Sequence, residues 1–287
     1  MDLSIVIPCY NHGEFLLPLI ESLKPIDNIE YEVIIVNDGS TDEGTVKLLN
    51  GIKSKYEEVS VTVLHQNNGG PSKARNTGIE NSKGKYMLPI DSDNWIDLEY
   101  IIQSKKILDQ HSEVDIVYAK PVLIGEEIKQ SRLWVVKDFD RISICKYNYI
   151  DTCAVYRREV WVKNNGYDTN RTISGWEDWD FWLASSANGF KFYFLNANLF
   201  YYRIIADSHL EKLANDNREE LALDYITKKH ARFIHTVLRE TYIPQEPIIN
   251  NDKLIIEMYK NDFDKPFRSF FKYLLYKIKN TKPDFFK

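Results

Sequence analysis

Three short stretches of this chain carry residues whose types and spacing could do chemistry. The first is Asp91-Ser92-Asp93, which closes the apolar run Met87 to Ile90. If that run is a strand that continues through them, the two carboxylates at i and i+2 leave the same face about 6–7 Å apart. Like charges that close are unfavourable unless a cation or a set of donors lies between them. The pair therefore reads as a cation site or as a polar turn, a setting Asp, Ser and Asn also favour. The second stretch is Glu177-Asp178 in "SGWEDWDFW". A reaction at a hydroxyl needs a general base within hydrogen-bond reach, and a carboxylate can serve. Acidic residues also favour a helix amino terminus, and Asp180 reads as such a residue. The third is "NNGGPSKARN", Asn67 to Asn76. Its paired glycines permit close backbone approach, and a helix starting behind Pro71 offers free N–H groups to an anion. Arg75 or Lys73 could meet phosphate or ribose there, though Lys73 fits a solvent-facing position equally well.

These stretches need elements to position them. Leu3 to Pro8, Glu32 to Asp38, "VSVTVLHQ" and "KYMLPID" read as strands. The second is a near-continuous apolar run of the kind buried on both faces of a parallel sheet. Between them "GEFLLPLIESLKP", "TDEGTVKLLNGIKSKY" and "PSKARNTGIENSKG" have helical spacing or helix punctuation. Pro71 suits a first-turn position, and Pro18 predicts a kink in its helix. Alternating strands and helices imply an α/β fold with a mostly parallel, helix-covered sheet. Such sheets bind ligands beyond the carboxyl ends of their strands. Pro8 to Asn11 follows the first strand, Asn37 to Ser40 the second and Asp91 to Asp93 the fourth, so parallel strands bring all three to one edge. Asp38 could alternatively be part of an Asp-Gly turn into a helix capped by Ser40 or Thr41.

Further along, "VDIVYAKPVLI" reads as a strand, and residues 126–149 show no clear period. "IDTCAVYRREVWVKNNGYD" reads as strand, short helix and turn, "WEDWDFWLASSANG" as a helix and "FKFYFLNANLFYYRI" as a strand. Beyond His209 the pattern becomes helical, most clearly over residues 217–240. We divide the chain into a domain at 1–210, with halves at 1–111 and 112–210, and a helical extension at 211–287.

The 287 residues carry a net charge of −5, which argues against a dedicated nucleic-acid binder. Three cysteines without C-x-x-C spacing make a disulfide framework or zinc site a poor fit and suit a reducing compartment. No secretory leader or membrane span is apparent, so the expected localisation is cytoplasmic.

The stretches "SIVIPCYNHGEFLLPLIESL", "EVIIVNDGSTD", "NNGGPSKARNTGI", "YMLPIDSDNWI" and "GWEDWDFWLA" occur in the order and spacing of family 2 glycosyltransferases. By them the chain resembles that family over residues 2–205. The resemblance implies the GT-A fold, a nucleotide-sugar donor and an inverting transfer to a hydroxyl of a glycan or lipid-linked acceptor. It makes Asp93 the main metal ligand and gives Asp91 a ribose or metal contact, with Ser92 between them. It sets Asp38 on the nucleotide base, with Pro8, Tyr10 and Asn11 packing on that base and Asn67, Gly70 and Arg75 lining the donor site. It makes Asp178 the general base and gives Glu177 a supporting or acceptor-binding role. Hard oxygen ligands suit Mn²⁺ or Mg²⁺, and a cation on a diphosphate stabilises it as a leaving group. His209 stands where some relatives supply a third metal ligand, although a surface histidine is the plainer reading. Trp176 or Trp179 could stack on an acceptor sugar, with the remaining tryptophans in the core.

Two departures are visible: Asn94 where many relatives have Asp, and Cys9 where Thr or Ser is frequent. A strand ending in D-x-D also marks aspartyl phosphatases, but there the motif follows the first strand and wants Thr or Val where this chain has Trp95. A non-catalytic nucleotide- or carbohydrate-binding module is the remaining alternative, and the joint presence of Asp38, Asp91, Asp93, Glu177 and Asp178 argues against it. Finally, residues 265–287 hold six lysines and one arginine against one aspartate, with Phe267, Phe270, Phe271, Leu274, Leu275 and Ile278 at helical spacing. A helix of this kind can lie on an anionic membrane or dock on the protein's own helices.

Overall fold

The computed structural model describes residues 1–52, 59–125, 135–204 and 218–242. Strand β1 (Leu3–Cys9) leads through helix α1 (Gly13–Ser22) to β2 (Tyr31–Asn37), α2 (Glu43–Gly51), β3 (Ser60–His65), α3 (Pro71–Glu80) and β4 (Tyr86–Pro89). There follow β5 (Trp95–Ile96), α4 (Leu98–Gln110), β6 (Ile116–Ile124), α5 (Arg141–Lys146), β7 (Ala154–Arg157) and α6 (Arg158–Asn164). A short 3-10 turn (Arg171–Ile173) precedes α7 (Glu177–Ala187), β8 (Phe192–Arg203), α8 (Arg218–Lys229) and α9 (Ala231–Tyr242).

One sheet in the order β3-β2-β1-β4-β7-β6-β8-β5 runs through both halves of the chain. β3, β2, β1 and β4 are parallel; β7 is antiparallel to β4 and β6, and β5 is antiparallel to β8. This orientation matters for the site. The carboxyl ends of β1, β2, β3 and β4 and the amino end of β7 all open on one edge.

β2 is buried at every position because it is paired on both sides and covered on both faces. On one face Leu16, Leu19 and Ile20 of α1 pack with Ile5, Ile7, Val33 and Ile35. On the other, α3 lies against β1 and β2. A Cβ at Gly78 would stand 2.3 Å from Val6 Cγ1, so only glycine lets the helix approach this closely. That approach carries Arg75, one turn earlier, over the strand ends.

A second cluster joins Met87, Ile116, Tyr156, Phe181 and Trp182 to Ala222, Ile226, Phe233 and Val237 of α8 and α9. The start of the predicted extension is thus part of the core. The helical pattern over 217–240 breaks in two at His230. Arg141–Lys146 forms a helix inside the segment that shows no period in sequence, because Asp140 caps it by accepting from the Ile142 and Ser143 N–H groups. The cap of α2 is Asp42, accepting from Thr45 N–H, in place of the expected Ser40 or Thr41. The three cysteines are buried and free. Among the described residues, no helix is long and apolar enough to cross a membrane.

Candidate active site

β4 ends at Pro89, and Asp91-Ser92-Asp93 forms a turn closed by the Asn94 N–H to Asp91 carbonyl bond at 3.0 Å. The i, i+2 strand geometry expected for the two carboxylates is therefore replaced by a turn, which lets them diverge to different partners. Asp91 Oδ1 accepts from Arg75 Nη2 at 2.6 Å. Asp93 instead offers its carbonyl, which accepts from Arg203 Nε at 3.1 Å. Arg203 in turn lies over the rings of Trp95 and Phe15 at 5.0 and 5.2 Å, so the turn is braced from β8 and α1. Burial first, then Asp91, raises the Asp93 pKa to about 6, against the opposing charges of His12 and Arg203.

The second carboxylate pair sits in the first turn of α7. Glu177 is buried, and its Oε1 accepts from Arg75 Nη1 at 2.9 Å while Oε2 accepts from Gly175 N–H at 2.5 Å. Arg75 thus bonds Glu177, 102 positions away, on one side and the D-x-D turn on the other. Its guanidinium lies 5.6 Å from the Tyr167 ring centroid, and burial opposes its charge while Asp91 and Glu177 sustain it. Asp178 Oδ2 accepts from Asn148 Nδ2 at 2.8 Å, and Oδ1 from the Trp179 N–H at 2.7 Å. Burial, then Glu177 and Asp151, push the Asp178 carboxyl well above the ordinary carboxylate range.

Asp38 is buried and fully engaged. Its Oδ1 accepts from Gln66 Nε2 and Gly69 N–H, its Oδ2 from Gly70 N–H, and its carbonyl from Asn68 Nδ2. In this structure it shapes the "QNNGG" loop that leads into α3, with Gly70 at φ 86° as the residue before the helix. Gly39, at φ 75°, makes the turn expected after it. Asn11, at φ 57°, works in the same way: its Oδ1 accepts from Thr41 and Asp42 N–H, tying the β1 end to the α2 start. Pro8 is half-buried at the end of β1, and Tyr10 and Asn67 are exposed beside these loops. Ser92 is buried with its Oγ 3.4 Å from His12 Nδ1. Lys73 is exposed.

Sequence reading passed over three residues at this site. Asn148 holds the proposed base, His12 faces the D-x-D turn, and Asp151, buried just before β7, lies near enough to Asp91 and Asp93 for their charges to raise it. Its pKa reaches about 7, with burial as the largest cause. No local pattern marks Asn148 and Asp151, because antiparallel β7 and the segment ahead of it reach the site only through tertiary pairing, while His12 directly follows the β1 end. Tyr202 of β8 feels the same group: burial, then Asp151, Asp91, Asp93 and Asp178, raise its hydroxyl pKa.

Other expectations change. Trp179 is buried and spends its indole N–H on the Ile144 carbonyl at 2.7 Å, which makes it a core residue. Trp176, half-buried ahead of α7, is the one of the two with accessible surface. Asp180 is no simple helix-terminus residue. It is buried and accepts from Lys229 Nζ at 2.8 Å and faces His230 Nε2 at 2.7 Å, anchoring the end of α8 to α7. His209 lies outside the described residues.

The donor set fits a hard divalent cation. Asp91 and Asp93 offer carboxylate oxygens in a negative environment that already favours protonation of Asp93. Among the described residues no three acidic, His or Cys side chains converge as a metal cage. A cation here would complete its shell from diphosphate oxygens and water, as Mg²⁺ commonly does.

A doubly covered, mostly parallel sheet with acidic turns at its strand ends is a GT-A-type fold. Residues 4–163 match the model of glycosyl transferase family 2, and the chain belongs to that family. Among relatives, it is 27% identical over 208 residues to the Staphylococcus aureus poly(ribitol-phosphate) beta-N-acetylglucosaminyltransferase TarS, covering 70% of this chain and 35% of TarS. It is 40% identical over 105 residues to the Bacillus spizizenii poly(ribitol-phosphate) beta-glucosyltransferase, covering 36% of this chain and 16% of that one. The chain therefore spans about a third or less of the length of these relatives. The crystal structure of S. aureus TarS 1-349 in complex with UDP-GlcNAc matches with a TM-score of 0.64 at 19% identity, over 84% of this chain and 73% of that one. That likeness establishes the shared fold.

Proposed function

We propose that this protein is an inverting, metal-dependent glycosyltransferase that moves a sugar from a nucleoside diphosphate donor, a UDP-sugar, to a hydroxyl of a glycan or lipid-linked glycan. The setting is bacterial surface polysaccharide synthesis. The observation that carries the reading is Arg75, which bonds Asp91 on one side and Glu177 on the other and so puts the D-x-D turn and the Glu177-Asp178 pair in one site.

The nucleotide lies beyond the strand ends, along Pro8, Tyr10 and Asn11 and the loop organised by Asp38. Asp93, with Asp91, would hold Mn²⁺ or Mg²⁺, which when bound supplies positive charge to the diphosphate as it leaves. Asp178 takes the proton of the acceptor hydroxyl. The acceptor oxygen forms its bond to the anomeric carbon as the bond from that carbon to the diphosphate oxygen breaks, and the electron pair departs with the nucleotide. Asn148 fixes the orientation of Asp178, leaving proton acceptance to the carboxylate. Arg75 opposes, as a smaller effect, the burial and the acidic neighbours that raise the Asp178 pKa. Glu177 secures Arg75 and the backbone ahead of α7.

Relatives described as poly(ribitol-phosphate) glycosyltransferases make a polyol-phosphate polymer an acceptor class to include. The basic aromatic segment 265–287, outside the described residues, has a composition suited to an anionic lipid surface, which would serve a lipid-linked acceptor. Calorimetric titration of UDP, GDP and dTDP, each with Mn²⁺ and with EDTA, tests the reading. Metal-dependent binding of UDP is expected. No binding of any nucleotide under either condition would overturn it.

A further inference from the structure

Asp151 is a buried carboxylate that the mechanism above does not use. It sits three residues before β7, and β7 pairs antiparallel with β4 through Tyr86–Arg157 and Met87–Tyr156. Continuing that register by one residue per step brings the segment ahead of β7 alongside the D-x-D turn that follows β4. The electrostatics agree. Asp91, Asp93 and Arg75 all act on Asp151, and Asp151 acts on Asp178 and Tyr202. Asp151 is therefore near both the carboxylates assigned to the diphosphate end of the donor and the carboxylate assigned to the acceptor hydroxyl. In a direct displacement the transferred sugar must lie between those two groups.

Its two oxygens differ. Oδ1 accepts from the Cys153 N–H at 2.7 Å, which fixes the side chain on its loop. Among the described residues Oδ2 has no hydrogen-bond partner, and it is not among the sealed, unpartnered polar atoms, so it keeps some accessible surface. A carboxylate oxygen this buried and unpaired is costly without a donor. The donors a pyranose brings are hydroxyl groups and, in a 2-acetamido sugar, an amide N–H.

We propose that Asp151 is a specificity-determining residue whose free carboxylate oxygen accepts a hydrogen bond from a hydroxyl or amide N–H of the donor's transferred sugar. This rests on the glycosyltransferase reading of the same site. It separates two parts of donor recognition: the nucleotide diphosphate is held at the strand ends, and the sugar is read from the β7 side.

The test compares UDP with UDP-GlcNAc, UDP-Glc, UDP-Gal and UDP-xylose by calorimetry, with Mn²⁺, on the full chain and on Asp151→Asn and Asp151→Ala. Asn keeps the Cys153 bond through its amide oxygen and puts an NH₂ group where Oδ2 stands; Ala removes both. In the wild type, one UDP-sugar is expected to bind more tightly than UDP. In both variants that advantage is expected to shrink at least about tenfold, or about 1.4 kcal/mol, with UDP affinity within about twofold of wild type, and the spread among the four sugars is expected to narrow. Near-ultraviolet circular dichroism checks that each variant is folded. An unchanged ratio of UDP-sugar to UDP affinity in folded Asp151→Asn overturns the assignment, as does an equal loss for UDP and UDP-sugar, which would put Asp151 on the diphosphate. Absence of all nucleotide binding by the wild type instead refutes the underlying glycosyltransferase reading.

Discussion

Arg75 offers the sharpest test of how this site is held together. It is 3% exposed, and it meets Glu177, also buried, at 2.9 Å and Asp91, whose side chain is 35% exposed, at 2.6 Å. Arg75→Met keeps much of the side-chain volume and removes the charge. Removing one partner of a buried ion pair costs about 3–5 kcal/mol, because the other charge is left uncompensated. Glu177 carries most of that penalty, since water reaches Asp91 and screens its share. For a protein of this size about 1 kcal/mol moves Tm by roughly 2–4 °C, so a fall of about 6–20 °C is expected at pH 8. Adding Glu177→Gln to Arg75→Met removes the uncompensated charge and should recover part of the loss at pH 8. A Tm within 2 °C of wild type at pH 8, or no recovery in the double variant, would refute the view that Arg75 compensates these carboxylates.

Three further outcomes are expected. Asp178→Asn should lower kcat by about 10²–10⁴, the range of general-base catalysis, while leaving the Mn²⁺–UDP dissociation constant within about twofold; equal losses in both would remove Asp178 from the role of base. Because the Asp93 pKa is raised to about 6, this carboxyl holds a proton below that pH and loses its charge for a cation. Calorimetric Mn²⁺–UDP affinity should therefore fall as pH drops through about 6, and Asp93→Asn should flatten the profile; an unchanged profile would put the dependence elsewhere. Asp180→Asn replaces a buried carboxylate facing Lys229 and His230 and should cost about 1–3 kcal/mol in urea denaturation, with the calorimetric UDP affinity retained. An unchanged denaturation midpoint would show that the anchor between α7 and α8 contributes nothing.

Much of this was legible in the chain alone. The apolar runs of β1, β2 and β4 and the helical stretches between them specify a parallel sheet, because period and burial are local properties of the sequence. Parallel order then brings Asp38 and the D-x-D turn to one edge with no knowledge of contacts. Asp93 and the Glu177-Asp178 pair were visible as side chains whose charges demanded an explanation. What local pattern could not decide is who neutralises whom. Arg75 and Glu177 meet across 102 residues, and Asp180 finds Lys229 and His230 across about 50. Those pairings depend on packing between distant elements. The same limit applies to Trp179, whose burial comes from its contact with Ile144, and to Asp38, whose oxygens are taken by the loop before α3. Asp151 is the clearest case. Nothing in "YIDTCAV" distinguishes its aspartate from any other before a strand, and it joins the candidate site only because β7 runs antiparallel beside β4 and delivers its amino end to the edge where the parallel strands end.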